Sequence, residues 1–261
     1  MDVNPKSLVL NLLLATDDGL LGTAEAIKAG QLFEIGAGNV RVTLTRLQSA
    51  GLIEAASRGV YRLSSKGRVL ASAVAAWRDV EERTCTQWDG SWVAVLTTDL
   101  AKADRTAWRA RSRALAMFGL RELEADLYVR PNNLIGGVNQ LRMQLLSMEG
   151  GAGIAVFALS ELDPERERRA RALWDVAALH ERYRNDIKRL GQSTEVVSSM
   201  PLEVAAREAY VLGNEAIKGL VFDPLLPEPL IDVSTRNELV DSVIRYEQIG
   251  RIIWRNFLKQ Q

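Results

Sequence analysis

Arg41, Val42, Thr45 and Arg46 fall at i, i+1, i+4 and i+5, a spacing that puts all four on one face of a helix. The chemistry of that face is that of a duplex reader. An arginine fork can donate two hydrogen bonds to guanine, and a valine or threonine methyl can pack on the methyl of thymine. Further on, Arg58 precedes a turn glycine and Arg62 lies just beyond it, where a basic tip would meet phosphate or the minor groove. Tyr61 lies on the opposite face of its strand from Arg62 and reads as core. Between residues 39 and 68 the bases are Arg41, Arg46, Arg58, Arg62, Lys66 and Arg68, and the only acid is Glu54, in a chain of formal net charge +0. The basic charge is therefore local, as a DNA-binding face requires. The competing reading is a solvated amphipathic helix and an ordinary hairpin, serving as a protein-interaction or assembly module. The basic outer face and the Arg-Gly tip weigh against it.

These side chains need elements to position them. Val40, Leu44, Leu47 and Gly51 recur at i, i+4, i+7 and i+11, the inner face of a helix. Asn39 is its expected N-cap, and Gly51 stands where a C′ glycine ends a helix. Residues 52–55 and 60–63 read as strands around a Ser57-Arg58-Gly59 turn. Upstream, Asn4-Pro5 opens an apolar helix over 6–15, and Asp17-Asp18-Gly19 is a turn. Thr23 is expected to cap a second helix over 24–33, and Gly36-Ala37-Gly38 makes the turn into the third. Helix, helix, helix and basic ribbon describe a winged helix-turn-helix over residues 1–65. Ser64 or Ser65 should then cap a connector helix, within 66–87, that buries Val69, Ala73, Ala76, Trp77 and Val80 along one side.

The length of 261 residues suits two or three domains, and 47% hydrophobic with 25% charged residues is ordinary for globular protein. A single cysteine, Cys85, excludes an internal disulfide framework and a cysteine-based zinc site. A single histidine, His180, removes most histidine-based metal and triad chemistry. The apolar run 8–14 is short and lacks a basic flank, so no signal peptide is expected. No run approaches the ~20 apolar residues of a membrane span. The expectation is a soluble cytoplasmic protein without membrane contact.

Downstream, Trp88-Asp89-Gly90-Ser91-Trp92 opens a second domain, expected over 88–162. A strand over 92–98 precedes a helix over 102–118 that carries Lys102, Arg105, Arg109, Arg111 and Arg113. Residues 120–129 read as one strand with polar interruptions, Pro131-Asn132-Asn133 as a turn, 137–148 as a short helix and 150–153 as a loop, with a buried strand over 154–159. The order β-α-β-α-β suggests a ferredoxin-like α/β sandwich with one strand unaccounted for. Asp163-Pro164 starts a helical C-terminal domain, expected over 163–261. Its helices are expected over 165–190 (with a break near the middle), 201–218 and 234–257, with a loop over 191–199 and a proline-rich connection over 223–229. The fold class expected is α+β.

Several stretches resemble the PaaX-like transcriptional repressors of phenylacetic-acid degradation. They are NVRVTLTRL-x3-GLI and RGVYRLS-x2-G in the first domain, WDGSWVAV and GL-x6-LYVRPNNL in the second, and DPLLPEPLID and YEQIGRIIW in the third. They occur in order across nearly the whole chain. The resemblance implies a winged-helix N-terminus, a ferredoxin-like middle and a helical C-terminus. It further implies homodimeric binding to a palindromic operator in double-stranded DNA, and release by an aryl-acyl-CoA effector, with no other cofactor.

Residues that could receive such an effector are Trp108, Tyr128, Arg130, Asn133, Trp174 and His180, with Trp88 and Trp92 as further aromatic walls. Aromatic rings suit an aryl group, and arginine and amide groups suit phosphates. Against this stand core packing for each ring and a plain turn for Pro-Asn-Asn. The run Arg166, Arg168, Arg169 and Arg171 reads as a solvated helix face. Catalytic motifs are missing: there is no P-loop, G-x-S-x-G or dinucleotide fingerprint, so no enzyme is expected. Asp99, Asp104, Asp126 and Asp163 are the carboxylates that a metal-dependent nuclease would need, but they are scattered over different elements.

Overall fold

The computed structural model describes residues 3–16, 18–85, 87–97, 105–146 and 154–260. The helix start expected at Lys102, the loop over 150–153 and the carboxylates Asp99 and Asp104 lie outside these residues. The chain is α+β. It divides into two compact units, one of 1–76, 187–217 and 241–261, the other of 77–186 and 218–240. The boundaries expected at 65, 87 and 162 do not coincide with this division. Residues 163–261, expected as one helical domain, contribute to both units, because their helices supply apolar faces to two different cores.

In the first unit, α1 (Pro5–Ala15) is capped by Asn4, whose Oδ1 accepts the Lys6 amide at 2.9 Å. Its Leu8, Val9, Leu12 and Leu13 are buried. A three-residue strand, β1 (Leu20–Gly22), follows and is too short to announce itself by alternation. Gly22, not Thr23, is the N-cap of α2 (Thr23–Gln31); Glu25 Oε2 accepts the Gly22 amide at 2.6 Å. Thr23 instead bonds the Gly59 carbonyl through both its amide and its hydroxyl. The next helix, α3 (Ala37–Ser49), begins three residues earlier than expected, with Gly36 as N-cap and Asn39 inside the first turn. It ends at Gly51, where φ is +68° and the Leu52 amide bonds back to the Leu47 carbonyl. Strands β2 (Ile53–Ser57) and β3 (Val60–Leu63) then pair antiparallel, and β1 adds to the free edge of β3.

The same unit is completed by the last helices of the chain. The helix expected to end at Leu190 runs on: α9 (Val176–Val196) passes through the expected loop into a 3-10 turn over Val197–Ser199. Helices α10 (Leu202–Val221) and α11 (Val233–Lys259) follow. Ala205, Ala206, Ala209, Tyr210, Ile253, Trp254 and Phe257 share one buried cluster with α1, α2 and α3. Trp254 stacks near Phe33 and meets Tyr210 and Phe257 edge-on. The Lys28 ammonium donates to the carbonyls of Phe257 and Gln260, which closes the C-terminal end of α11.

The connector is not one helix. After Ser64, whose hydroxyl caps it, α4 (Ser65–Ala75) gives way to a 3-10 turn (Ala76–Asp79) and a single turn α5 (Val80–Arg83). Trp77 and Val80 are buried as expected, whereas Val69 is exposed.

In the second unit, β4 (Trp92–Leu96) leads to α6 (Arg105–Met117). The stretch read as one strand is two, β5 (Arg121–Glu124) and β6 (Leu127–Pro131), reversed at Asp126, where φ is +66°. This supplies the strand that the sequence left unaccounted for. Then come α7 (Gly137–Leu146) and β7 (Ala155–Leu159). The sheet order is β5-β6-β4-β7, antiparallel throughout. Val93, Val95 and Val156 face a core shared with Ala114, Leu115, Leu141 and Leu145 of the two helices. Asp163 caps α8 (Pro164–Arg171), which is separated from α9 by residues 172–175, the break anticipated in the long helix.

Candidate nucleic-acid interface

Val40, Leu44 and Leu47 anchor the inner face of α3 in the core, and this fixes what its outer face presents. Arg41, Val42, Thr45 and Arg46 all lie exposed on that outer face. Val42 is 47% exposed, a large aliphatic side chain turned to solvent beside two cations. Among the described residues, the guanidinium groups of Arg41, Arg46 and Arg58 have no hydrogen-bond or ion-pair partner. Thr45 donates its hydroxyl to the Arg41 carbonyl at 3.1 Å, which leaves its methyl for contact. Arg58 stands exposed in the β2–β3 turn. Arg62 differs: its Nε donates to Glu54 Oε1 at 2.8 Å across the ribbon. Both partners are well exposed, so the pair is weak and open to exchange for a phosphate.

Of the six residues considered for an effector, Arg130 and Asn133 are bonded to each other. Arg130 is 3% exposed and fully used: Nε donates to the Pro131 carbonyl, Nη1 to Phe118, and Nη2 to Asn133 Oδ1 and the Pro224 carbonyl. Burial pulls its guanidinium down to about 9, with the nearby Arg83 charge acting in the same direction, so it stays charged at neutral pH. Asn133, 1% exposed, passes the chain of bonds to the Leu225 carbonyl at 2.8 Å. Arg236 donates to the Leu226 carbonyl, and Asp223 accepts from Arg182 and Tyr183, each at 2.7 Å. Burial first, then the Asp223 charge, raises the Tyr183 phenol well above its ordinary value. These groups hold the proline-rich connection. Arg130 and Asn133, considered for an effector's phosphates, thus have their donors engaged within the fold.

Trp174 is buried and lies parallel to Trp92 at 6.3 Å, while Trp88 meets Trp92 edge-on at 5.2 Å. The tryptophans therefore pack on one another instead of walling an open pocket. Tyr128 is half-buried against the sheet core, Trp108 is exposed on α6, and His180 is half-buried with its ring edge-on to Tyr183. Asp163 caps α8 and pairs with Arg166, which holds its carboxyl below the usual range. Among the described residues there is no group of three or more His, Cys, Asp or Glu that could hold a metal ion.

Sequence reasoning missed a cavity of about 410 Å³ in the first unit. Leu12, Leu20, Val60, Trp254, Leu258 and Lys259 are among its lining residues. It joins positions more than 200 residues apart in the chain, which no local pattern signals.

The chain matches no family model and no curated protein. It is similar in structure to an uncharacterized protein, Rv0674, from Mycobacterium tuberculosis, with a TM-score of 0.63 over 98% of this chain and 97% of that one, at 20% identity. The two share a fold over nearly their full lengths. No helix among the described residues is long and apolar enough to cross a membrane.

Proposed function

We propose that this protein is a DNA-binding transcriptional regulator, a cytoplasmic and non-catalytic one, and that its reader is α3. The observation that carries this reading is the outer face of α3, where Arg41, Val42, Thr45 and Arg46 stand exposed with both guanidinium groups unengaged. The order α1-β1-α2-α3-β2-β3 and the basic β2–β3 turn support a winged helix-turn-helix in this reading. An order β-α-β-β-α-β with an antiparallel sheet is that of a ferredoxin-like sandwich, the middle part that the resemblance to PaaX-like repressors implies. On this reading the protein is a homodimer on an inverted repeat, because one recognition helix spans only a few base pairs. It represses an aromatic-acid catabolic operon and is released by an aryl-acyl-CoA effector. The effector class rests on the resemblance alone; Trp108 and His180 remain its candidate contacts, and the cavity beside Trp254 has room for a small aromatic group.

Selection of duplexes from a random library tests this reading. The expected product is one enriched inverted repeat, with affinity that falls steeply as salt rises. Adding aryl-CoA thioesters, but not the free acids, should release it. A library that stays unenriched would overturn the DNA-binding reading. Enrichment with indifference to every thioester would overturn the effector alone.

A further inference from the structure

Helix α4 is amphipathic in the wrong sense. The side it lays against the ribbon is small: Gly67 is buried, and Ala71 and Ala75 are half-buried. Contact there is so close that a Cβ at Gly67 would overlap the Leu52 carbonyl. Its large aliphatics face the other way. Val69 is 71% exposed, Leu70 43% and Val74 39%. At about 100° per residue these three span roughly 140° of the helix surface. An apolar stripe of that width normally faces a core. Here it lies on a helix that follows directly on the basic ribbon, within the unit that carries α3.

Charge decides what kind of partner fits. From Val69 to Trp77 the sequence VLASAVAAW carries no charged residue, and the nearest charges, Arg68 and Arg78, are both positive. A charged partner would find nothing to pair with on this face. A second copy of the same helix would find an uncharged, self-complementary surface, with the small, exposed Ser72 beside Val69. A two-fold interface requires such self-complementarity, since each patch meets its own copy. Leu173, Val176 and Leu179 offer a second copy less apolar surface, since each is half-buried.

We propose that α4 is the dimerisation helix: two copies of this chain associate through Val69, Leu70 and Val74, and this brings two α3 readers together. The proposal rests on the dimeric regulator reading and adds where the second copy binds. Sedimentation of the full chain without DNA tests it independently of DNA recognition. The triple variant Val69→Glu, Leu70→Glu, Val74→Glu places like charges across the interface, and so does its counterpart with three lysines. Glutamate and lysine are better helix formers than valine, so α4 itself should survive, as circular dichroism will show. The expected result is a wild-type dimer and a dissociation constant raised roughly thirtyfold or more in each variant, the scale of a lost interface anchor. Association should return when the two variants are mixed. Val204→Glu, on exposed aliphatic surface of α10, should change nothing. A monomeric wild type at micromolar concentration overturns the proposal. So does a dimer that persists unchanged in either triple variant, or a mixture no more associated than its components. Half-site DNA binding retained by the monomeric variants would leave the reader assignment standing.

Discussion

Whether a buried arginine serves a ligand or the fold is decided by what its donors already touch. Arg130 sits on a strand next to a turn, a location that suits phosphate recognition, yet its donors are spent on three carbonyls and the Asn133 amide oxygen. Removing it leaves those buried acceptors without a donor, at about 1–3 kcal/mol for each that finds no water. Arg130→Ala should therefore lower stability by at least about 3 kcal/mol, read as a fall in the denaturant midpoint with m unchanged. An Arg130→Ala protein of normal stability would return this residue to the list of ligand contacts. The contrast with Arg41 and Arg46 is plain at this scale. Their forks are free in solvent, so alanine there should leave the unfolding midpoint within about 0.5 kcal/mol of the parent.

At the scale of elements, the helices α10 and α11 share the core of α1, α2 and α3. Tyr210, Trp254 and Phe257 pack with Phe33 of the segment after α2, and Lys28 caps the end of α11. Roughly 65 residues looked sufficient for the first domain, but its core is shared with distant sequence. Residues 1–76 alone should show little cooperative unfolding, and removal of 241–261 from the full chain should expose hydrophobic dye-binding surface. A fragment 1–76 that melts cooperatively, with α3 helical, would contradict this. Much of the local structure was legible in the sequence: the period of Val40, Leu44 and Leu47, the Gly51 stop, the Asn4 and Asp163 caps. Those signals are short-range. What stayed hidden depends on partners far away in the chain. The strand β1 has three residues and owes its existence to β3. The reversal at Asp126 lacks glycine, so β5 and β6 read as one strand. Gly191 and Ser193 suggested a loop, but α9 runs through them, with Leu190 and Ser193 buried in the helix. The candidate residues show the same split: the exposure of the α3 face follows from a local pattern, whereas the commitments of Arg130 and Asn133 involve residues 224 and 225.

At the scale of the whole molecule, both units bury phenols, and this sets their response to alkali. Burial raises Tyr183 in one unit and Tyr246 and Tyr210 in the other; Tyr210 is carried from 10.0 to about 12. An acid whose folded pKa is raised favours the fold while it is neutral. The Tyr210 contribution is thus fully present below about pH 10 and lost as pH rises toward 12. Stability measured from pH 9 to 12 should fall, and Tyr210→Phe should flatten part of that slope; an identical slope in the variant would show that Tyr210 ionises as freely folded as unfolded. One measurement addresses the proposed DNA recognition most directly. Fluorescence anisotropy on the selected operator compares the wild type with Arg41→Ala and Arg46→Ala. Each variant should lose about 1–3 kcal/mol of operator affinity, with relaxed preference at the base it reads, while its unfolding midpoint stays that of the parent. Operator affinity unchanged in both variants would contradict the assignment of α3 as the reader.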